Sequence, residues 1–236
     1  MSLEFLSPGP GAVARSPMER QALDAGARLE LRDGWQIAAS FDGREPEQGR
    51  LAETVGFADR SHLGKIEIQA APGDLAVIVA GAGAPGLDLG RATPSAGAWW
   101  CPYTRERAIV LCEPGETAEL RQTLEGAAAA VAGHATVLDV TTVWAALTIA
   151  GPLARETFAR FTALDLRPAA LPLHGFRPGS VARTPGAVLR EDDDRFLMLF
   201  GAALGQYVWT VVADAAASLG GGPVGVDVLA KEPALA

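Results

Sequence analysis

The sequence predicts an α+β fold of two related halves, each running strand, helix, strand, strand, helix. Three observations carry this prediction. Short strand-like runs alternate with amphipathic helical ones, the second half repeats the order of the first, and an acid–x–hydroxyl triplet opens each repeat. With 236 residues, 49% of them hydrophobic and 20% charged, the chain can bury a large core.

From the N-terminus, residues 1–17 are rich in Pro and Gly and read as a loose arm. DGREPEQGR (42–50) reads as a charged, exposed loop. KIEIQ (65–69) has the two-residue period of a strand. Residues 73–80 read as a helix when the two halves are aligned. RAIVLC (107–112) is a short apolar run suited to a buried strand. GETAELRQTLEGAAAAVAG (115–133) is a strong helix, with acids in its first turn and Gly133 as a stop. In the second half PLARETFARFT (152–162) and ALGQYVWTVVADAAASLG (203–220) are helical, with the strand RFLMLF (195–200) between them. GGGPVGVDVLAKEPALA reads as a tail beyond the last helix. The expected divisions are 1–50 for the N-terminal arm and first strands, 51–134 and 135–222 for the two halves, and 223–236 for the C-terminal tail.

Laid on itself, the chain places DRSHLGKIEIQAAP, from Asp59, over DVTTVWAALTIAGP, from Asp139, 80 residues later. Asp falls on Asp, Ser61 on Thr141 and Pro72 on Pro152. Arg107 and Arg195 open matching strands 88 residues apart. The second half has no histidine in its triplet. An Asp or hydroxyl side chain at a strand entrance bonds nearby backbone N–H groups, so D-x-[S/T] reads as a structural turn. His62 is then an addition to one half.

The net charge of −8 and a pI near 4.9 argue against a nucleic-acid surface, which needs clustered positive charge. Two cysteines, Cys101 and Cys112, are too few for a disulfide framework or a self-contained metal site, and both read as buried and inert. No run approaches the ~20 apolar residues of a membrane span, and MSLEFLSPGPG lacks the pattern of a signal peptide, so a cytoplasmic protein with no membrane partner is expected. GAGAPG (81–86) fits G-x-G-x-x-G, but no amphipathic helix follows it to receive a pyrophosphate. There is no G-x-S-x-G, and His62, His134 and His174 lack metal-ligand spacing, so no metal is expected. The acidic run EDDD (191–194) reads as a hairpin turn. The aromatic run WWCPY (99–103) has two readings: a surface that stacks a planar ring such as a pterin or flavin, or a sheet face plugging the core.

DRSHLGKIEIQ, TTVWAALTIAGPLARETFARFTALDLRP, FRPGSVART and DRFLMLFGAALGQYVWTVVADA together resemble the folate-linked aminomethyltransferase superfamily, from about residue 55 to residue 220. That group includes the glycine-cleavage T-protein, the folate-binding iron–sulfur maintenance proteins and subunits of heterotetrameric sarcosine oxidase. The L-D-L-R-P and F-x-P-G-S-x-A-R-T passages look closest to the sarcosine oxidase gamma subunit. The resemblance implies the aminomethyltransferase (folate-binding) fold, two halves around a central ligand channel, here without the C-terminal barrel domain of T-proteins.

The departures bear on activity. A T-protein has an acidic pair in the hairpin that matches AGAWWCPYT (96–104), where this chain has no acid. A second T-protein motif ends in a Glu that holds the pterin edge, and its counterpart is Leu197. An apolar side chain cannot replace two charge-assisted hydrogen bonds of roughly 1.5–3 kcal/mol each. The Cys-containing mark of the iron–sulfur maintenance proteins is also missing from RPGSVA (177–182).

The resemblance therefore implies a non-catalytic accessory subunit of a sarcosine oxidase-type, folate-linked one-carbon enzyme, with no catalytic residue of its own. The alternatives are a divergent tetrahydrofolate-dependent aminomethyltransferase or a stand-alone folate binder. Candidate ligand contacts are Leu63, a stacking surface of Trp99, Trp100 and Tyr103, and Arg183 as an anion partner. Tetrahydrofolate would sit in this chain's pocket or in a partner subunit, and FAD only in partner subunits. The expected partners are the other subunits of a hetero-oligomeric oxidase, or a second copy in self-association.

Overall fold

KIEIQ becomes the centre of a strand, Gly64–Ala70, in which both faces are buried: Ile66 and Ile68 on one, Lys65 and Glu67 on the other. Burial on both faces explains why a charged strand lies so deep in the molecule. The computed structural model describes residues 11–229. Along them run β1 (Ala14–Arg15), α1 (Glu19–Asp24), β2 (Arg28–Arg32), β3 (Trp35–Ser40) and α2 (Arg44–Glu53). Next come β4 (Gly56–Asp59), β5 (Gly64–Ala70), α3 (Pro72–Gly81), β6 (Thr93–Ser95), β7 (Ala98–Pro102), β8 (Arg107–Cys112) and α4 (Thr117–Ala129). The same order recurs as β9 (Ala135–Asp139), β10 (Trp144–Ala150), α5 (Ala154–Ala159), β11 (Phe176–Val181), β12 (Thr184–Asp192), β13 (Arg195–Gly201) and α6 (Gly205–Ala217). β14 (Gly222–Pro223) and α7 (Val226–Leu229) follow.

Each repeat thus has a short strand ahead of the expected unit and three strands between its helices. The strands do not share one sheet. They form a six-stranded sheet, β11-β12-β13-β10-β4-β14, and a five-stranded sheet, β6-β7-β8-β5-β9, with β1, β3 and β2 in a small third one. The first strand of each repeat has crossed over: β4 pairs with β10 of the second repeat, and β9 with β5 of the first.

The result is layered. α3 and α4 cover the outer face of the five-stranded sheet through Ile66, Ile68, Leu75, Ile78, Trp100 and Leu124. α5 and α6 cover the outer face of the six-stranded sheet, where Phe158, Val208 and Trp209 meet Phe57, Phe196 and Phe200. The inner faces meet each other through Leu63, Cys101, Ile109 and Leu111 on one side and Leu189, Leu197 and Leu199 on the other. Cys101 and Cys112 are buried and free, with burial holding both thiols above their usual range.

Three sequence expectations change. The charged stretch 42–50 is mostly helix α2, because the fully buried Glu47 carboxylate collects three backbone N–H groups. Oε1 accepts from Phe41 at 2.8 Å and Gly43 at 3.2 Å, and Oε2 accepts from Gly225 at 2.6 Å. The arm is anchored at its inner end, where β1 pairs with β3 and the Ser16 hydroxyl donates to Asp59; its first ten residues lie outside the described ones. The tail is not free where described: β14 pairs with β4, and Val224 is buried against Ala58 and Ala150. Residues 230–236 lie outside the described ones.

Glu47→Ala should cost about 2–4 kcal/mol, since it strands buried donors on two segments. Glu47→Gln, which keeps one acceptor oxygen, should lose less. Urea midpoints order the three proteins, and equal midpoints would remove Glu47 as the anchor of the C-terminal segment.

Candidate functional site

The D-R-S-H cluster lies where the two sheets part. Asp59 ends β4, and its Oδ1 accepts the Ser61 N–H at 2.9 Å; Asp139 ends β9, and its Oδ1 accepts the Thr141 N–H at 2.9 Å. Each turn also grips the opposite repeat. The Ser61 hydroxyl accepts the Ala146 N–H at 3.2 Å, and the Thr141 hydroxyl accepts the Lys65 N–H at 3.0 Å. The Arg60 N–H donates to the Ala146 carbonyl at 2.9 Å, and Val140 to that of Lys65 at 2.8 Å. These are equivalent bonds, with one extra residue in the second turn. The D-x-[S/T] triplet is a structural turn used twice.

Lys65 closes the arrangement. Its fully buried ammonium donates to the carbonyls of Ser61 at 2.9 Å, Leu63 at 2.7 Å and Thr141 at 3.4 Å. Burial pulls its pKa down to about 7 against the attraction of Asp59 and Asp139. Burial likewise raises Asp59, although hydrogen bonds from Ser16 and Ser61 favour its charged form. Neither group is open to a substrate, so their shifts report structural burial rather than poised chemistry. His62 is 8% exposed, and burial with Arg60, Lys65 and Arg32 nearby lowers it to about 3, so its ring is neutral near pH 7.

The predicted ligand contacts divide into three places. Leu63, Trp99 and Tyr103 belong to the layer between the sheets. Tyr103 meets Phe176 edge-on at 5.3 Å and Trp144 at 6.4 Å, with the Arg107 guanidinium 5.3 Å from its ring centre. Trp99 meets His174 edge-on at 5.1 Å. Trp100 points to the opposite face of β7, as strand alternation requires; it is fully buried and its Nε1 donates to Ser95 O at 3.2 Å. Trp99 and Trp100 therefore share no stacking surface. Arg183 is exposed at the β11–β12 hairpin tip, where Ala182 and Arg183 both have positive φ, as a two-residue type I′ turn demands. It lies five strand residues beyond Phe176, roughly 17 Å at the usual strand rise.

Leu197 is fully buried and pairs with Leu189 and Thr148. Beside the aromatic residues is a void of about 20 Å³ bordered by Leu63, Trp99, Leu111 and Glu191, enough for a water but not a bicyclic ring. Two larger openings lie elsewhere. One of about 300 Å³ is bordered by Arg32, Arg60, His62 and Glu113, and one of about 760 Å³ by α2, α7 and the β12–β13 hairpin. Sequence reading missed the first, because Arg32 and Val226 come from segments read as arm and tail. Among the described residues no group of three or more His, Cys, Asp or Glu could hold a metal ion, and no helix is long and apolar enough to cross a membrane.

No family model matches the chain. Its fold is similar to a chain of the heterotetrameric sarcosine oxidase from Corynebacterium sp. U-96, with a TM-score of 0.69 and 20% identity, covering 87% of this chain and 96% of that one. It is also similar to the glycine cleavage system aminomethyltransferase T from Bartonella henselae, with a TM-score of 0.74 and 16% identity, covering 92% of this chain and 60% of that one. In sequence, 58 residues are 34% identical to an aminomethyltransferase of Deinococcus deserti, and 53 residues are 36% identical to a probable aminomethyltransferase of Halobacterium salinarum. Those matches cover 25% and 22% of this chain but only 16% and 15% of the curated relatives. The fold is thus of the aminomethyltransferase (folate-binding) kind.

The burial of Lys65 sets a pH dependence. Between its folded value of about 7 and its ordinary value of 10.5, the unfolded chain holds a proton that the folded chain has released. Stability therefore rises with pH there, by up to about 1.4 kcal/mol per unit. The raised groups act with the opposite sign. Asp59 contributes stability that is full below 3.8 and lost as pH rises through its folded value, and Cys112 acts above 9.0. Between about pH 7 and pH 9 the urea midpoint should climb in the native chain and stay flatter in Lys65→Met. Parallel profiles would assign the dependence to another group.

Proposed function

We propose that the chain is a non-catalytic accessory subunit of a folate-linked, sarcosine oxidase-type enzyme, in the manner of the gamma subunit. The filled layer between the sheets is the observation that carries this reading. In the aminomethyltransferase family the ligand channel runs between the halves. Here Leu197, at the position of the pterin-binding Glu, is fully buried and packed among Leu189, Leu199 and Phe176. A carboxylate in that layer would be desolvated without a partner, at a cost of several kcal/mol.

The likeness in fold to a chain of a heterotetrameric sarcosine oxidase supports the same reading. Val143, Leu204 and Tyr207 add an exposed apolar surface, brought together where the Ala202 N–H donates to the Val143 carbonyl at 2.9 Å. Subunit contacts cover surfaces of this kind. FAD then belongs to a partner subunit, and the division into two halves at about residue 135 follows the same family plan.

One observation favours the binder reading. The Tyr103 hydroxyl is buried and has no hydrogen-bond partner among the described residues, although rings that could flank a planar ligand surround it. A titration with 5-formyltetrahydrofolate, followed by calorimetry and Trp fluorescence, separates the two. The accessory reading expects no saturable binding up to about 1 mM, together with co-purification when the chain is co-expressed with a flavin-bearing oxidase subunit. Saturable micromolar binding would overturn it in favour of a binder or a transferase. Turnover of an aminomethyl donor with tetrahydrofolate would single out the transferase.

A further inference from the structure

The opening of about 300 Å³ forms where four distant pieces of chain meet. These are the β2–β3 hairpin, the turn after β4, the segment that leads into α4, and α7. Arg32 and Arg60 bring guanidinium groups to it. Both are engaged: Arg32 with Asp227 and Glu30, each at 2.6 Å, and Arg60 with Glu113 at 3.6 Å among other contacts. Asp33 and Glu113 contribute carboxylates, while Ile37, Val226 and Leu229 contribute hydrocarbon.

His62 stands apart from these. It lines the opening, is 8% exposed, and its ring has no hydrogen-bond partner among the described residues. Its ring nitrogens are not sealed in packed protein but open to this cavity, where a bound molecule can reach them. The turn itself does not need an imidazole, because the equivalent turn forms the same backbone bonds with Thr142 in that place. The neutral ring offers one donor and one acceptor to whatever enters.

We propose that this opening binds a small aliphatic amino acid in its zwitterionic form, with His62 hydrogen-bonding to the bound molecule. A hydrocarbon would leave the imidazole without a hydrogen-bonding partner. A simple inorganic anion would leave the apolar wall without one, and a lone carboxylate would meet Asp33 and Glu113 as like charges. A molecule with both charges and a short apolar side chain answers all three features. The volume holds roughly ten non-hydrogen atoms at about 30 Å³ each. This inference does not rest on the accessory-subunit reading and stands or falls separately.

L-leucine is the probe, with 3-methylbutanoate and 3-methylbutylamine as its single-charge analogues. The readout is the imidazole nitrogen resonances of His62 in the full chain, assigned by their loss in His62→Gln. Leucine should shift them saturably, and calorimetry should give an affinity at least about tenfold above either analogue. His62→Gln should weaken leucine binding severalfold. Resonances unmoved by leucine up to about 50 mM would overturn the proposal, as would equal affinities for leucine and one of the analogues.

Discussion

The buried ammonium of Lys65, held between two Asp-initiated turns, is the constraint on which the joining of the two sheets depends. Where β4 and β9 cross into the opposite repeat, the chain must change sheets, and its backbone groups there lose their ladder partners. The hydroxyls of Ser61 and Thr141 take two of the stranded N–H groups. The carbonyls of Ser61, Leu63 and Thr141 still need donors, and one buried lysine supplies three. A flexible stem with a compact head can reach three acceptors in different directions, which a planar guanidinium fork cannot do as well. The desolvation that lowers the lysine's proton affinity is the cost of satisfying the crossing.

From that crossing the character of the inner layer follows. Because strands are exchanged, neither sheet can slide away from the other, and the facing surfaces are packed by side chains from both. Leu63, just before the crossing, packs with Cys101, Ile109 and Leu111 against Leu189, Leu197 and Leu199. Strand alternation then divides the aromatic run, sending Trp99 and Tyr103 inward and Trp100 toward α3 and α4. A run that looked like one stacking surface serves two cores.

Much of this was legible in the sequence. β5 carries a two-residue period, β8 and β13 are short apolar runs, α4 and α6 read as helices, and the paired Asp–x–hydroxyl triplets announced the turn that both repeats use. The division into separate sheets was not legible, because strand exchange is decided by long-range pairing that leaves no local pattern. Helix α2 was hidden by its composition: DGREPEQGR reads as solvated until the Gly225 N–H arrives from far along the chain to meet Glu47. The opening beside His62 was invisible for the same reason. Its walls come from segments separated by up to almost the whole described chain, from Arg32 to Leu229.

The two turns share their backbone bonds but differ in everything around them. The first carries Arg60 and His62 and is roofed by the small sheet and α7, segments that have no counterpart in the second repeat. The second carries Val140 and Thr142, is one residue longer, and leaves Val143 57% exposed. Symmetry explains what the fold requires of both turns, so the features confined to one turn call for another cause. An imidazole that lines an opening among opposite charges, in a turn that forms without it, is such a feature. The threonine in that place of the other turn stands exposed under no such roof, so the imidazole belongs to the wall that only the first turn has.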